Sequence, residues 1–227
     1  MKSSTRMSRT SWKKVKSLLA YRMVRFLFAP LVRLIYKVNI EGRNSIPKTG
    51  GVILACTHPR TRDPIMVPLL SWRPITFGAK SEFFRFRGWG LLFAPIFRLL
   101  KQLPVDRSGG RAAANFVEAA ITYVGNRQGV LGIFPEGYLS PPDALHRFKT
   151  GVGRIAVGSG VPVIIVAIRY GDRTWRTLWR RPVWIKASYF GAFHPEDNPQ
   201  DVTRRLDKAV CDLAELPTTS RYAHSDR

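Results

Sequence analysis

The chain has 227 residues, 45% of them hydrophobic and 23% charged. That length and balance fit one globular domain with a small appendage, and they exclude a disordered or fibrous chain. Basic residues outnumber acids 37 to 15, a net charge of +22, so the chain seeks a polyanion: nucleic acid, an anionic membrane or an acidic small substrate. Cys56 and Cys211 are too few for a disulfide framework and lack metal-ligand spacing. A reducing cytosolic setting fits them.

The front of the chain carries the charge. Residues 1–40 hold ten Lys or Arg and no acid. From Trp12 to Lys37 these cations alternate with Leu18, Leu19, Met23, Phe26, Leu27, Phe28, Leu31 and Leu34. A membrane span needs about 20 mostly apolar residues. Here the uncharged run near the centre is Phe26 to Val32, broken by Pro30. Neither a span nor a signal peptide fits. The pattern predicts an interfacial helix or helix pair over 1–36, divided or kinked at Pro30, its apolar side chains in the acyl boundary and its cations on anionic head groups. A surface helix packed on the protein's own core is the plainer alternative. A second apolar stretch, Trp89–Leu100, suits the same surface or a buried helix.

Strand patterns follow at Val38–Glu41, Val52–Ala55, Ile75–Gly78, Leu103–Asp106, Val130–Phe134, Val163–Arg169 and Val183–Phe190. They are short, rich in β-branched or aromatic residues, and bounded by Gly or Pro. Several are unbroken apolar runs, as in strands covered on both faces. The clearest helix is Gly110–Gly125, where Ala113, Phe116, Val117, Ala120, Ile121 and Val124 recur at helical steps behind a Ser108 cap. Further helices are expected after Asp63, Ser81, Phe148 and Pro199. Strands alternating with helices predict an α/β fold with a mixed, mostly parallel sheet flanked by helices. Functional loops then gather at the carboxyl ends of the strands. The tail, 217–227, reads as polar and loose.

Residues 52–64 read VILACTHPRTRDP. A buried strand runs into His58, and Asp63 follows five residues on. Pro64 suits a first helical position, so Asp63 stands where a cap belongs. Across such a turn the carboxylate can fold onto the imidazole, fix one tautomer and support the imidazolium, as a general base for an alcohol or amine requires. A capping Asp beside an exposed loop His is the bland alternative. Cys56 reads as a core thiol. Phe134-Pro135-Glu136-Gly137 ends another strand, and Leu103-Pro-Val-Asp-Arg107 a third. Each is compatible with a site or with a plain strand-ending turn.

The order H-x4-D, then V-D-R, then F-P-E-G, then V-P-V-I-I-V resembles the glycerolipid acyltransferase family, the lysophosphatidate (1-acylglycerol-3-phosphate) acyltransferases. Ile46-Pro47-Lys48-Thr49-Gly50-Gly51 and Phe148-Lys149-Thr150-Gly151 extend the likeness over about residues 37–195. The resemblance implies an acyltransferase domain over 37–216, with His58 as general base, oriented by Asp63. It implies acceptor binding by Lys80, Arg107, Glu136 and Gly137. The reaction it implies moves an acyl group from acyl-CoA or acyl-carrier protein to a lysophospholipid, most simply lysophosphatidate to phosphatidate. No metal or cofactor is expected beyond that co-substrate. The expected setting is the cytoplasmic face of the cell membrane, held peripherally or monotopically on an anionic surface. The sequence departs from the family at Tyr138 and Leu139, where many members carry Thr and Arg. The departure removes a phosphate ligand, so Arg147 or Lys149 supplies the cation, or the acceptor lacks a phosphomonoester. A nucleic-acid partner is disfavoured: no helix-turn-helix, zinc-finger or ribonucleoprotein pattern is present.

Overall fold

The computed structural model describes residues 9–80, 102–105, 110–126, 128–172 and 180–223. The helix expected after Ser81, the Ser108 cap, the Trp89–Leu100 stretch, Asp106 and Arg107 lie outside the described residues.

All seven expected strands form, in one sheet ordered β1-β7-β6-β2-β5-β3-β4. They are β1 (Tyr36–Glu41), β2 (Val52–Cys56), β3 (Ile75–Lys80), β4 (Leu103–Val105), β5 (Val130–Ile133), β6 (Val163–Tyr170) and β7 (Arg181–Gly191). Only β6 and β7 pair antiparallel; the other five pairings are parallel. The sheet is thus mixed and mostly parallel, as the unbroken apolar runs predict.

Strand β2 lies in the middle, and all five of its residues are buried. Its side chains alternate between two cores. Ile53 and Ala55 join Leu131, Val163 and Ile165 beneath α3 (Arg111–Gly125), α4 (Gly151–Ser159) and α5 (Pro199–Ala214). Val52, Leu54 and Cys56 join Ile164, Val166, Ile168, Val183 and Ile185 on the opposite face. That second core is closed by Met66, from the short α2 (Asp63–Met66), by Val67, Leu69 and Leu70, and by Val32 of α1 (Arg9–Ile35).

Helix α1 runs unbroken through Pro30, so the expected division there does not occur. It presents two apolar stripes on opposite sides. Tyr21, Ala29 and Val32 face the domain, with Tyr21 and Val32 buried. Leu19, Met23, Phe26, Leu27 and Leu34 recur at helical spacing on the far side and are exposed. Tyr21 donates its hydroxyl to the Pro68 carbonyl at 3.5 Å. Burial pushes the Tyr21 phenol up to about 12, against the pull of Arg25. The Arg25 guanidinium donates to the carbonyls of Pro68, Ser71 (2.6 Å) and Leu69 (3.4 Å), and lies 4.2 Å from the centre of the Trp72 ring. These carbonyls end the 3-10 turn Val67–Leu69, where backbone acceptors lack helical partners. The appendage is therefore pinned to the domain along one face.

The tail is held as well, at least to residue 223. Leu145 N–H donates to Pro217 O at 2.9 Å, Thr219 N–H to Leu145 O at 2.8 Å, and Arg147 N–H to Arg221 O at 3.2 Å. Backbone pairing needs no apolar side chains, so a polar sequence hides it.

Arg25→Ala removes a charged donor from three carbonyls and is expected to destabilise the protein by about 2–3 kcal/mol. Arg22→Ala, at an exposed position of the same helix, should change stability by less than about 0.5 kcal/mol. Urea unfolding of the two variants makes the comparison.

Candidate active site

Strands β2, β3, β4, β5 and β6 run parallel, so their carboxyl ends meet at one edge of the sheet. His58 follows β2 there, Phe134–Gly137 follows β5, Lys80 ends β3, and Tyr170 ends β6. Strand β7 runs against β6 and β1 runs with β7, so Tyr36, at the start of β1, reaches the same edge.

Asp63 is the centre of this edge. It is fully buried and does not cap α2; Arg62 occupies the cap position without a side-chain cap bond. The carboxylate instead turns back across the H-x4-D loop. His58 Nδ1 lies 2.9 Å from Oδ2, and the Arg60 amide donates to the same oxygen at 2.8 Å. Tyr170 donates its hydroxyl to Oδ1 at 2.6 Å. With Asp63 on Nδ1, the imidazole carries its proton there and turns the Nε2 lone pair outward. The His58 side chain is 17% exposed, enough for a substrate hydroxyl to reach it.

The ring is clamped on its other side. Phe134 stacks on His58 with centroids 4.0 Å apart, and Phe77 stacks on Phe134 at 5.4 Å. Gly132 makes room for this column, because a β-carbon there would fall 2.2 Å from the Phe77 ring. Thr57 ties the strand end to β6: its amide donates to Val166 O at 3.0 Å, and its hydroxyl accepts from Ile168 N–H at 2.9 Å.

Glu136 is placed differently from the expectation that it contacts the acceptor. It is fully buried. Oε1 accepts from the His58 amide at 3.1 Å and the Ser140 hydroxyl at 2.6 Å, and Oε2 accepts from the His146 amide at 2.8 Å. Ser140 N–H in turn donates to His58 O at 2.9 Å. Glu136 is a strut that fixes the His58 backbone, its carboxylate closed off from solvent. Burial raises its carboxyl pKa; the bonds from Ser140, His146 and His58 pull it back.

Gly137 has φ +76°, and a β-carbon there would lie 2.7 Å from Lys149 Nζ. Lys149 therefore carries an exposed ammonium across the F-P-E-G turn. Arg147 turns away, its guanidinium 5.1 Å from the centre of the Tyr222 ring. Leu139 is half-buried and Tyr138 is 45% exposed. Lys80 is on the site edge by its backbone, and Arg107 lies outside the described residues. Cys56 is fully buried, and burial, reinforced by Asp63, pushes its thiol pKa well up; it stays a neutral core thiol. Sequence reasoning missed Tyr170, Ser140 and the Phe77–Phe134 column. Only the tyrosine that interrupts the end of VIIVAIRY hints at one of them.

The family model described as Acyltransferase matches residues 37–169. The chain is 29% identical to a 1-acyl-sn-glycerol-3-phosphate acyltransferase of Limnanthes alba over 187 residues, covering 81% of this chain and 64% of that protein. It is 28% identical to the protein of the same name from Salmonella typhimurium, covering 62% of this chain and 55% of that one. The chain thus spans a little over half to just under two thirds of these relatives. Its fold is similar to the crystal structure of the 1-acyl-sn-glycerophosphate (LPA) acyltransferase, PlsC, from Thermotoga maritima. That likeness has a TM-score of 0.62 at 21% identity and covers 93% of this chain and 84% of that one.

Behind Glu136, burial raises the Asp207 carboxyl from 3.8 to about 6; the Phe148 amide opposes this, the Glu136 charge adds to it, and Arg147 pulls it down. The folded protein therefore binds more protons than the unfolded chain between those values. The Asp207 contribution to stability is complete below about pH 4 and is lost as pH rises through about 6. Asp207→Asn stays neutral throughout. It should unfold with wild type at pH 4 and be the more stable protein at pH 8, by on the order of 1 kcal/mol once solvent screening is counted. Denaturation series at the two pH values measure this.

Proposed function

We propose that this chain, which belongs to the acyltransferase family, moves a fatty acyl group from acyl-CoA or acyl-carrier protein to the free hydroxyl of a lysophospholipid, making phosphatidate from 1-acylglycerol-3-phosphate. The observation that carries the reading is the 2.9 Å contact between His58 Nδ1 and buried Asp63. It leaves Nε2 as an oriented base at the sheet edge. His58 Nε2 takes the acceptor hydroxyl proton as that oxygen bonds to the thioester carbonyl carbon. The tetrahedral intermediate collapses, the carbon–sulfur bond breaks, and the thiolate leaves with the proton returned by the imidazolium. The acceptor is activated directly, so no acyl-enzyme is required, in keeping with a neutral, buried Cys56.

The acceptor assignment draws on the names of the relatives and on cations around the turn. A phosphomonoester carries nearly two negative charges and favours charged donors. Lys149, whose ammonium lies beside Gly137, would supply the charge that Leu139 lacks; Lys80 and Arg107 are candidates for the same role. The apolar Leu139 favours a second reading, an acceptor without a phosphomonoester. No cofactor enters the reaction.

No helix among the described residues is long and apolar enough to cross a membrane. The outer stripe of α1 leaves Phe26 79% and Leu34 66% exposed, with Arg22 and Arg33 alongside. We place this stripe in the interface of an anionic bilayer on its cytoplasmic face, where each apolar side chain and each cation adds to binding. There the site edge would face lipid acceptors directly.

Acyl transfer from one labelled donor to lysophosphatidate, a lysophosphodiester and a neutral monoacylglycerol tests the function. Wild type is expected to favour lysophosphatidate. His58→Ala should lose at least about 10²- to 10⁴-fold in kcat while remaining folded. Leu139→Arg should improve lysophosphatidate use severalfold only if the native acceptor is a different one. Wild-type turnover by folded His58→Ala overturns the mechanism.

The membrane reading is tested by Phe26→Asp combined with Leu27→Asp. Both positions are exposed, so the thermal midpoint should hold. Flotation with anionic vesicles should weaken by about tenfold or more, from lost apolar burial and added repulsion.

A further inference from the structure

The structure assigns Tyr170 as a positioning residue of the catalytic pair, the group that holds Asp63 so that Asp63 can hold His58. The assignment rests on the acyl-transfer reading of that pair. Asp63 Oδ2 is engaged by the imidazole and by the Arg60 amide. Oδ1 receives the Tyr170 hydroxyl at 2.6 Å, and this is the one side chain shown donating to it among the described residues. A fully buried carboxylate with one oxygen unpaired would be free to rotate or to draw in a proton. Either change loosens the Nδ1 contact that sets the tautomer.

Tyr170 is itself locked. Its ring meets the edge of Tyr36 with centroids 6.5 Å apart, and the guanidiniums of Arg60 and Arg62 lie 5.1 and 6.0 Å from its centre. Arg62 also donates to the Tyr36 hydroxyl. Burial, reinforced by Asp63, raises the Tyr170 phenol far above an ordinary tyrosine, so it remains a donor throughout the working range. The hydrogen bond that Tyr170 makes to the pair runs to Asp63 Oδ1. It acts through Asp63.

Tyr170→Phe deletes the hydroxyl and keeps the ring contacts. The expected result is a kcat about ten- to a hundredfold lower, with the KM of donor and acceptor unchanged. A role in substrate binding would move KM instead, and a role confined to packing would leave kcat alone. The second readout needs no substrate. The downfield imidazole proton on His58 Nδ1, identified by its loss in His58→Gln, should shift or vanish by exchange in Tyr170→Phe. A kcat within twofold of wild type, or an unmoved proton signal, overturns the assignment. If wild type transfers no acyl group while Tyr170→Phe still moves the signal, the functional reading fails and the positioning role stands.

Discussion

A carboxylate fully withdrawn from water is the constraint on which this structure turns. An ionised Asp63 is tolerable inside the protein only if its oxygens are filled by donors of good geometry. Three donors come from two places: an imidazole and an amide from its own loop, and a phenol from the end of β6. Each must be fixed in turn, and the fixing explains the surroundings. Glu136 and Ser140 hold the His58 backbone. Phe134 and Phe77 hold the ring, and Gly132 admits them. Thr57 binds the strand that delivers the loop to the strand that delivers the phenol.

The sheet makes this arrangement possible because β2 is flanked by β5 and β6. All three end at one edge, so a base, a strut and a phenol far apart in sequence converge. This is the general placement of sites in open α/β sheets, at the carboxyl ends of parallel strands. The reversed β7 then brings β1, and with it the end of α1, to the same edge. The helix that carries the outer apolar stripe terminates at Ile35, directly before Tyr36, whose ring and hydroxyl contact Tyr170 and Arg62. Tyr36 thus links the end of α1 to Tyr170, the phenol that Asp63 accepts from.

The strands were legible because burial on both faces writes itself as apolar runs, and the His58–Asp63 pair because a tight turn is local. Three features were not. Glu136 looked like a ligand-binding group because a carboxylate after a strand carries the same signal whether it faces solvent or a buried amide. Tyr170 stands 107 positions from Asp63, and no local pattern encodes so distant a contact. The tail beyond Pro217 looked loose because much of its attachment is through backbone groups, to which side-chain composition is blind. Pro30 does not divide α1: a helix can pass through a proline when packing along its length, here by Tyr21, Arg25 and Val32, outweighs the lost bond.

The order of the strands also sets a schedule for synthesis. Chains grow at roughly 5–20 residues per second, and 107 residues separate Asp63 from its phenol. About 5–20 seconds therefore pass between the emergence of one and of the other. Through that interval β2 has no neighbour on its β6 side, and Asp63 is an ordinary hydrated carboxylate beside an ordinary histidine. Helix α1 leaves the ribosome ahead of the strands, with both apolar stripes bare until Val67–Leu70 and the sheet cover one of them. The outer stripe of α1 thus stands exposed well before Asp63 gains its phenol, and the buried cluster is complete only when the sixth strand zips onto the second.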